Sequence, residues 1–370
     1  MKNLYKLLTP FAPDASGAVS VLYEMGGLTV ILDAGGCTGN VCGFDEPRWL
    51  QPDYGKRSAI FSAGLRDMDA IFGRDKELVA KLTAACEAIH ASFIAIVGTP
   101  VPSVIGTDFH ALRRMTEKAT GLPVLSIETS GLEYYDRGIQ KANHALFSEF
   151  ATDFKREVET EKVVLPFGTD VKTEKQGSAV GILGMTPLDF PLSDEALMRQ
   201  EMRVEGYDKV YIYGLGDGLS AVKNAGNVEK NLVVSVGGLP IAKELRQKFG
   251  TPYEARIPER LLLANDSIFG GLDGKRILVV DEQVRASCLR KTLLRKNPKA
   301  DVICAGFFCM EKELLMKGDV KLKGEEDFAA LVRVGNFDVI FADETLAGLC
   351  REFRGKWVDR IHFALSGRLE

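Results

Sequence analysis

The chain has 370 residues, 46% of them apolar and 26% charged. That is an ordinary globular profile and more chain than one compact core usually holds, so two or three domains are expected. The 47 basic and 51 acidic residues leave a net charge of −4, which gives no electrostatic case for a nucleic-acid partner or an anionic membrane.

No apolar run approaches the roughly 20 residues needed to span a bilayer. Pro10, Pro13 and Asp14 interrupt the N-terminal stretch before a signal-peptide core could develop, so a cytoplasmic protein is expected.

Short β-rich apolar runs predict strands at 28–32, 93–97, 124–127, 180–185, 210–213, 232–236, 277–280, 302–307, 339–342 and 361–364. They are nearly continuous in apolar residues, the pattern of parallel strands covered on both faces. Amphipathic stretches at 76–90 and 239–249 supply helices between them, so the chain reads as repeated βαβ. Charged and polar segments at 153–162 and 170–177, and the stretch 265–276, separate three groups of strands. The expected fold is α/β, with three Rossmann-like units over 1–172, 173–270 and 271–370, each a parallel sheet flanked by helices.

Seven scattered cysteines do not form a disulfide framework. Two of them, Cys37 and Cys42, lie in the glycine-rich segment DAGGCTGNVCG that follows the first strand. Thiolates bind soft metals and iron–sulfur clusters, and C-x4-C is half of one known cluster spacing. Glycines at 35, 36, 39 and 43 let backbone approach a ligand closely. Loops after the carboxyl ends of parallel strands are also where ligands bind. One pair gives two of four ligands, and a homodimer whose loops meet on a symmetry axis would give four. The alternative is two unrelated thiols in a turn. Asp33, four positions before Cys37, is a candidate oxygen ligand.

Cys304 and Cys309 repeat the spacing inside an apolar, strand-like run and are expected to be structural. Cys86, Cys288 and Cys350 are expected to be packing residues. The segment GLGDGLSAV at 214–222 lacks the G-x-G-x-x-G spacing and reads first as a tight βα turn. No Walker A motif is present, so ATP hydrolysis by this chain is not expected. The four histidines show neither metal-ligand spacing nor a serine nucleophile motif.

Several stretches in order resemble the nitrogenase component 1-type oxidoreductases. Residues 32–37 are similar to that family's HGPxGC loop, with Cys37 on its cluster-ligand cysteine. GLRDMDAIFGRDKEL (64–78), VGTPVPSVIGTDFHAL (97–112) and ETSGLEYYDRG (128–138) resemble successive segments of its first domain. AVGILGMTPLD (179–189), EKNLVVSVGGLPIAKELRQKFGTPY (229–253) and GKRILVVDE (274–282) resemble its middle and last domains.

Departures from the family pattern are informative. Pro100 stands at the third cluster-cysteine position, and no cysteine lies near Phe11, where the first would be. Ser235 aligns with the cysteine that ligates the molybdenum–iron cofactor. The resemblance therefore does not imply dinitrogen reduction.

It implies an iron–sulfur reductase component. An ATP-dependent, nitrogenase iron-protein-like partner would supply low-potential electrons. They would pass through a [4Fe–4S] cluster bridging two subunits, identical or closely related, to a small-molecule, tetrapyrrole-like substrate. Cys37 and Cys42 would be the ligands. Asp33 joins them as a candidate because one branch, the dark-operative protochlorophyllide reductases, uses an aspartate ligand. Lining candidates for cofactor or substrate are Gly214, Gly216, Asp217, Ser235, Gly237 and Gly238. The alternative within the same family is a non-catalytic scaffold or carrier for a metallocluster or tetrapyrrole.

Overall fold

A computed structural model describes residues 6–51, 58–66, 75–152, 178–262 and 269–369. The charged segments that mark the first expected domain boundary lie outside the described residues, as do the first four residues, 265–268, of the stretch that marks the second.

Thirteen described strands form three parallel sheets. In the first sheet, β1 (Leu28–Ile31) and β3 (Ile94–Val97) are central, flanked by β2 (Ala59–Ser62) and β4 (Val124–Ile127), in the order β2-β1-β3-β4. The second contains β5 (Ala179–Leu183), β6 (Lys209–Ile212), β7 (Lys230–Val233) and β8 (Tyr253–Ala255), in the order β6-β5-β7-β8. The third contains β9 (Arg276–Val280), β10 (Asp301–Gly306), β11 (Val320–Lys321), β12 (Val339–Ala342) and β13 (Lys356–Asp359), in the order β11-β10-β9-β12-β13. The α/β expectation of three parallel sheets flanked by helices holds.

Side chains alternate between two kinds of core, as the two-residue period of a strand requires. Ile31, Ala95, Val97, Leu183, Val233, Leu278, Val280, Ile340 and Ala342 belong to one apolar core shared by all three sheets. Their neighbours Val30, Ile94 and Ile96 face a separate core of the first sheet. Ile182, Leu232 and Val234 do the same in the second, and Ile277, Val279 and Phe341 in the third. Continuous apolar strands thus serve two cores at once.

One helix pair anchors the shared core. The helix Asp14–Leu22 is buried along its whole length against the helix Tyr135–Phe150. Gly17 and Gly138 lie at the contact, where an added Cβ would overlap the carbonyl oxygens of Tyr135 and Asp14 respectively.

The sequence places nine of its ten strands on observed ones. The exception is 361–364. The strand there is β13, and Phe363–Ser366 is a short helix closed by Gly367 in the left-handed conformation at φ +67°. KWVD offers only two apolar residues at a sheet edge, too short a run to stand out, whereas the apolar run after it fits either state. Strands β2, β8 and β11 also escape the sequence reading; all three are edge strands of two to four residues.

Candidate functional site

The cysteine loop leaves the carboxyl end of β1 and is pinned at its base by Asp33. The buried Asp33 carboxylate accepts hydrogen bonds from the Thr38 N–H (2.7 Å), the Thr38 hydroxyl (3.0 Å) and the Ser62 hydroxyl (2.6 Å). Gly35, at φ +112°, makes a left-handed turn that a side chain would strain. The chain then winds through a helical turn, Gly36–Asn40, and a π-helical turn, Val41–Asp45. A π turn is uncommon and recurs at functional sites.

Cys37 and Cys42 sit on these consecutive turns, both half-buried and free of disulfide. Burial raises both thiol pKa values. The Asp33 charge adds to the effect at Cys37, against a hydrogen bond from Thr99, and the Glu46 charge adds to it at Cys42. The surroundings of the loop are open: a Cβ added at Gly36, Gly39 or Gly43 would meet no atom within 4 Å. Among the described residues no three histidine, cysteine or acidic side chains gather as a metal site within one chain. This loop offers two thiols on an open glycine segment.

The far side of the loop is locked. Glu46 caps the short helix Pro47–Leu50. The fully buried Arg48 donates to the Glu46 carboxylate (Nε–Oε1 2.7 Å, Nη2–Oε2 3.1 Å). It also donates to the carbonyls of Ser20 (2.6 Å) and Gly214 (3.1 Å), and its guanidinium lies 4.2 Å from the Tyr23 ring centroid. One buried arginine therefore ties the loop to the helix below it and to the second sheet.

Around the thiols, the carboxyl edge of the first sheet exposes large apolar side chains. Phe44 is 70% exposed, Val104 84% and Leu132 87%. Each lies in a segment that follows a strand of that sheet. Pro100 opens the helix Pro100–Ile105 and packs against Gly131. Phe11 is buried in an aromatic group with Phe307 (5.2 Å), Phe308 (5.6 Å) and Tyr134 (5.7 Å). The two places where the resembling family has further cluster cysteines are thus filled by an apolar ring and by aromatic packing.

The remaining expected site residues are bonded or packed within the protein. The Ser235 hydroxyl donates to the Gly184 carbonyl at 2.7 Å. A Cβ at Gly237 would crowd Ile139, and one at Gly238 would crowd Leu183. Gly214 accepts from Arg48, and the Gly216 N–H donates to Glu24 at 2.9 Å. Asp217 accepts from the Ile212 N–H at 2.7 Å and pairs with Arg199 at 3.0 Å. Cys304 is buried, with its thiol 3.4 Å from the Ala286 carbonyl, and burial pushes it up to about 12. Cys309 is half-buried beside Glu311.

A second feature has no counterpart in the sequence reading. Loops after β4, β5, β9 and β13 bring six polar side chains into a buried group where the three sheets meet. Asp189 Oδ1 lies 3.0 Å from His362 Nε2 and accepts from the Tyr135 hydroxyl, which itself lies 3.1 Å from His362 Nε2. His362 Nδ1 faces Asp281 at 3.5 Å, and Asp281 pairs with Arg285 at 3.0 Å.

Glu282 accepts from the N–H groups of Val236 (2.6 Å), Val284 (2.9 Å) and Arg285 (3.1 Å). Burial first, and then the Asp189 charge, outweigh those donors and raise its carboxyl to about 8. The available signal was a polar residue just past each strand, but nothing in one sequence says that four such loops converge.

Beside this group lies a crevice of about 270 Å³, lined by Pro47 and Gln51 of the first unit, Pro187 and Phe190 of the second, and Ile361 and Phe363 of the third. Asp189 lines it as well. Its walls are mainly apolar.

The family model described as nitrogenase component 1 type oxidoreductase matches residues 16–258. Among curated proteins, the chain is similar to the nitrogenase iron-molybdenum cofactor biosynthesis protein NifE of Clostridium pasteurianum. The two are 25% identical over 195 residues, 52% of this chain and 38% of that protein. NifE of Methanococcus maripaludis is 24% identical over 194 residues, 52% of this chain and 37% of its own length. The match thus takes in little more than a third of those relatives. In structure the chain is similar to nitrogenase Cp1 at pH 6.5, with a TM-score of 0.68 at 13% identity over 97% of this chain and 87% of that one. The same protein at pH 5 gives 0.68 at 15% identity, over 98% and 85%. The structural likeness is one of fold, and the family match covers more than half of the sequence: the chain belongs to the nitrogenase component 1 type oxidoreductases.

Proposed function

We propose that the protein is an iron–sulfur component of a nitrogenase-like reductase. In this reading two copies, or one copy and a closely related subunit, bring their cysteine loops together. Cys37 and Cys42 of each then hold one bridging [4Fe–4S] cluster. The observation that carries the reading is the pair of half-buried thiols on one open glycine loop, at a sheet edge that also exposes Phe44. Four thiolates are the usual ligand set of such a cluster, and one chain offers two. When bound, the cluster would supply a low-potential electron store.

The chain's own residues then have definite tasks. Asp33 holds the loop through Thr38 and Ser62, so taking it as a ligand would break those bonds. Arg48 fixes the opposite end of the loop. The three units, taken as 1–172, 173–270 and 271–370, frame the crevice as the place for a small-molecule substrate. Its mainly apolar walls would suit an apolar substrate body, and the adjoining Tyr135–Asp189–His362 group can hold or pass a proton. An iron-protein-like, ATP-dependent partner would deliver the electrons.

The test is iron and acid-labile sulfide per chain, with native mass, on anaerobically purified protein. About two irons per chain in a dimer is the expected result. Cys42→Ala should lose the iron and its visible absorption. An iron-free protein after careful reconstitution, or a Cys42→Ala variant with full iron content, overturns the reading.

The name of the curated relatives favours a second reading, a scaffold or carrier in cofactor assembly. A reductase component would be reoxidised by its substrate over many turnovers, whereas a carrier would hand iron and sulfide to an acceptor protein without net redox change.

A further inference from the structure

A cavity of about 660 Å³ opens on the third unit, far along the chain from the cysteine loop and sharing no lining residue with the crevice. It lies at the amino edge of the third sheet, between the end of the helix Glu325–Gly335 and the segment 348–355 that leads into β13. Its size falls within the range of small-molecule sites. Val332, Phe337, Leu349 and Phe353 give it apolar walls. Three arginines, Arg333, Arg351 and Arg354, line it against one carboxylate, Glu352.

Several other arginines of the third unit pair with carboxylates, unlike these three. Arg285 pairs with Asp281, Arg290 with Asp319, Arg295 with Glu259 and Arg368 with Asp359. Among the described residues none of the three cavity arginines pairs with a carboxylate; Arg354 donates only to the Arg351 carbonyl, at 3.1 Å. Arg333 stands in the last turn of its helix, where a cation complements the carbonyl end. That accounts for one arginine and leaves two. Cys350 also lines the cavity; burial pushes its thiol up to about 11, so it stays protonated and serves as wall.

We propose that this cavity binds an organic anion with an apolar body. Arg333, Arg351 and Arg354 hold its carboxylate or phosphate, and the body lies against Phe337, Phe353, Leu349 and Val332. Guanidinium groups suit both oxyanions because their fork matches two oxygens at once. The inference does not depend on the iron–sulfur reading, since it uses none of the same residues.

The test is fluorescence titration of the full chain with the anionic probe 1-anilinonaphthalene-8-sulfonate, beside its neutral analogue N-phenyl-1-naphthylamine. The expected result is at least a tenfold loss of affinity for the sulfonate in the double variant Arg333→Ser/Arg351→Ser, with neutral-probe binding and the thermal midpoint unchanged. Displacement by dodecanoate would assign an aliphatic carboxylate, and displacement by adenosine monophosphate a nucleotide phosphate. Any other pattern overturns the site: equal affinity in both proteins, parallel loss of both probes, or displacement by neither anion.

Discussion

Arg48 and Glu282 show how single buried charges carry this molecule. Arg48 is wholly enclosed, and its bonds reach the cysteine loop, the helix Asp14–Leu22 and the turn after β6. Removing one partner of such a buried pair leaves the other uncompensated. Arg48→Met should therefore cost about 3–5 kcal/mol in urea unfolding, far more than a change at any exposed arginine.

Glu282 gives a pH signature. Its carboxyl is raised to about 8 in the folded protein, against an ordinary value of 4.5. Between those values the unfolded chain releases the proton while the folded chain keeps it. The Glu282 contribution to stability therefore falls as pH rises through that window and levels off above it. The urea midpoint should be lower at pH 8 than at pH 5.5, and Glu282→Gln should flatten that difference. An unchanged slope in the variant would refute the assignment. Neither residue stood out in the sequence, because Arg48 reads as one more surface arginine until three separate elements close over it.

At the scale of elements, the pairing of the helices Asp14–Leu22 and Tyr135–Phe150 depends on two glycines. A methyl at Gly138 would overlap the Asp14 carbonyl, which is backbone and cannot swing aside. Gly138→Ala should destabilise by about 2 kcal/mol or more through overpacking, despite the higher helix propensity of alanine. Thermal midpoints of the two proteins measure it. An unchanged or raised midpoint would mean that the helices separate at little cost.

The strand pattern was legible because both faces of each central strand are buried, so the apolar runs are long enough to read. The edge strands were not, since a strand with one partner needs no such run; β13 is the clearest case. Cys37 and Cys42 were legible as a pair because spacing, glycines and position after a strand coincide on one short segment. The roles of Ser235 and of the glycines at 214–216 and 237–238 were not. A glycine leaves the same mark in a sequence whether a ligand or a neighbouring helix fills the space beside it.

Over the whole molecule, one core runs behind all three sheets and the carboxyl edge of the first carries the exposed Phe44 beside the thiols. If that edge is where two subunits meet, a charge there should separate them. Phe44→Asp should shift the native mass of the anaerobic protein from dimer to monomer and lower its iron content in parallel. Retention of both would place the subunit contact elsewhere. The buried group at the meeting of the sheets was out of reach of the sequence: its members come from positions 135 to 362 and acquire meaning only once the loops converge.

The short helix Phe363–Ser366 closes that meeting point. Ala364 accepts from the Ala12 N–H and donates to the Leu188 carbonyl, both at about 2.9–3.0 Å, so one residue bonds to the first and second units together. His362, two positions earlier, completes the polar group. In chain order these residues follow every strand of every sheet. During synthesis the bonds that clasp the first two sheets through Ala364 must wait until the third has left the ribosome. Until then the crevice and the polar group beside it exist only in part, so a nascent chain stalled before residue 362 would carry the cysteine loop but not the finished crevice.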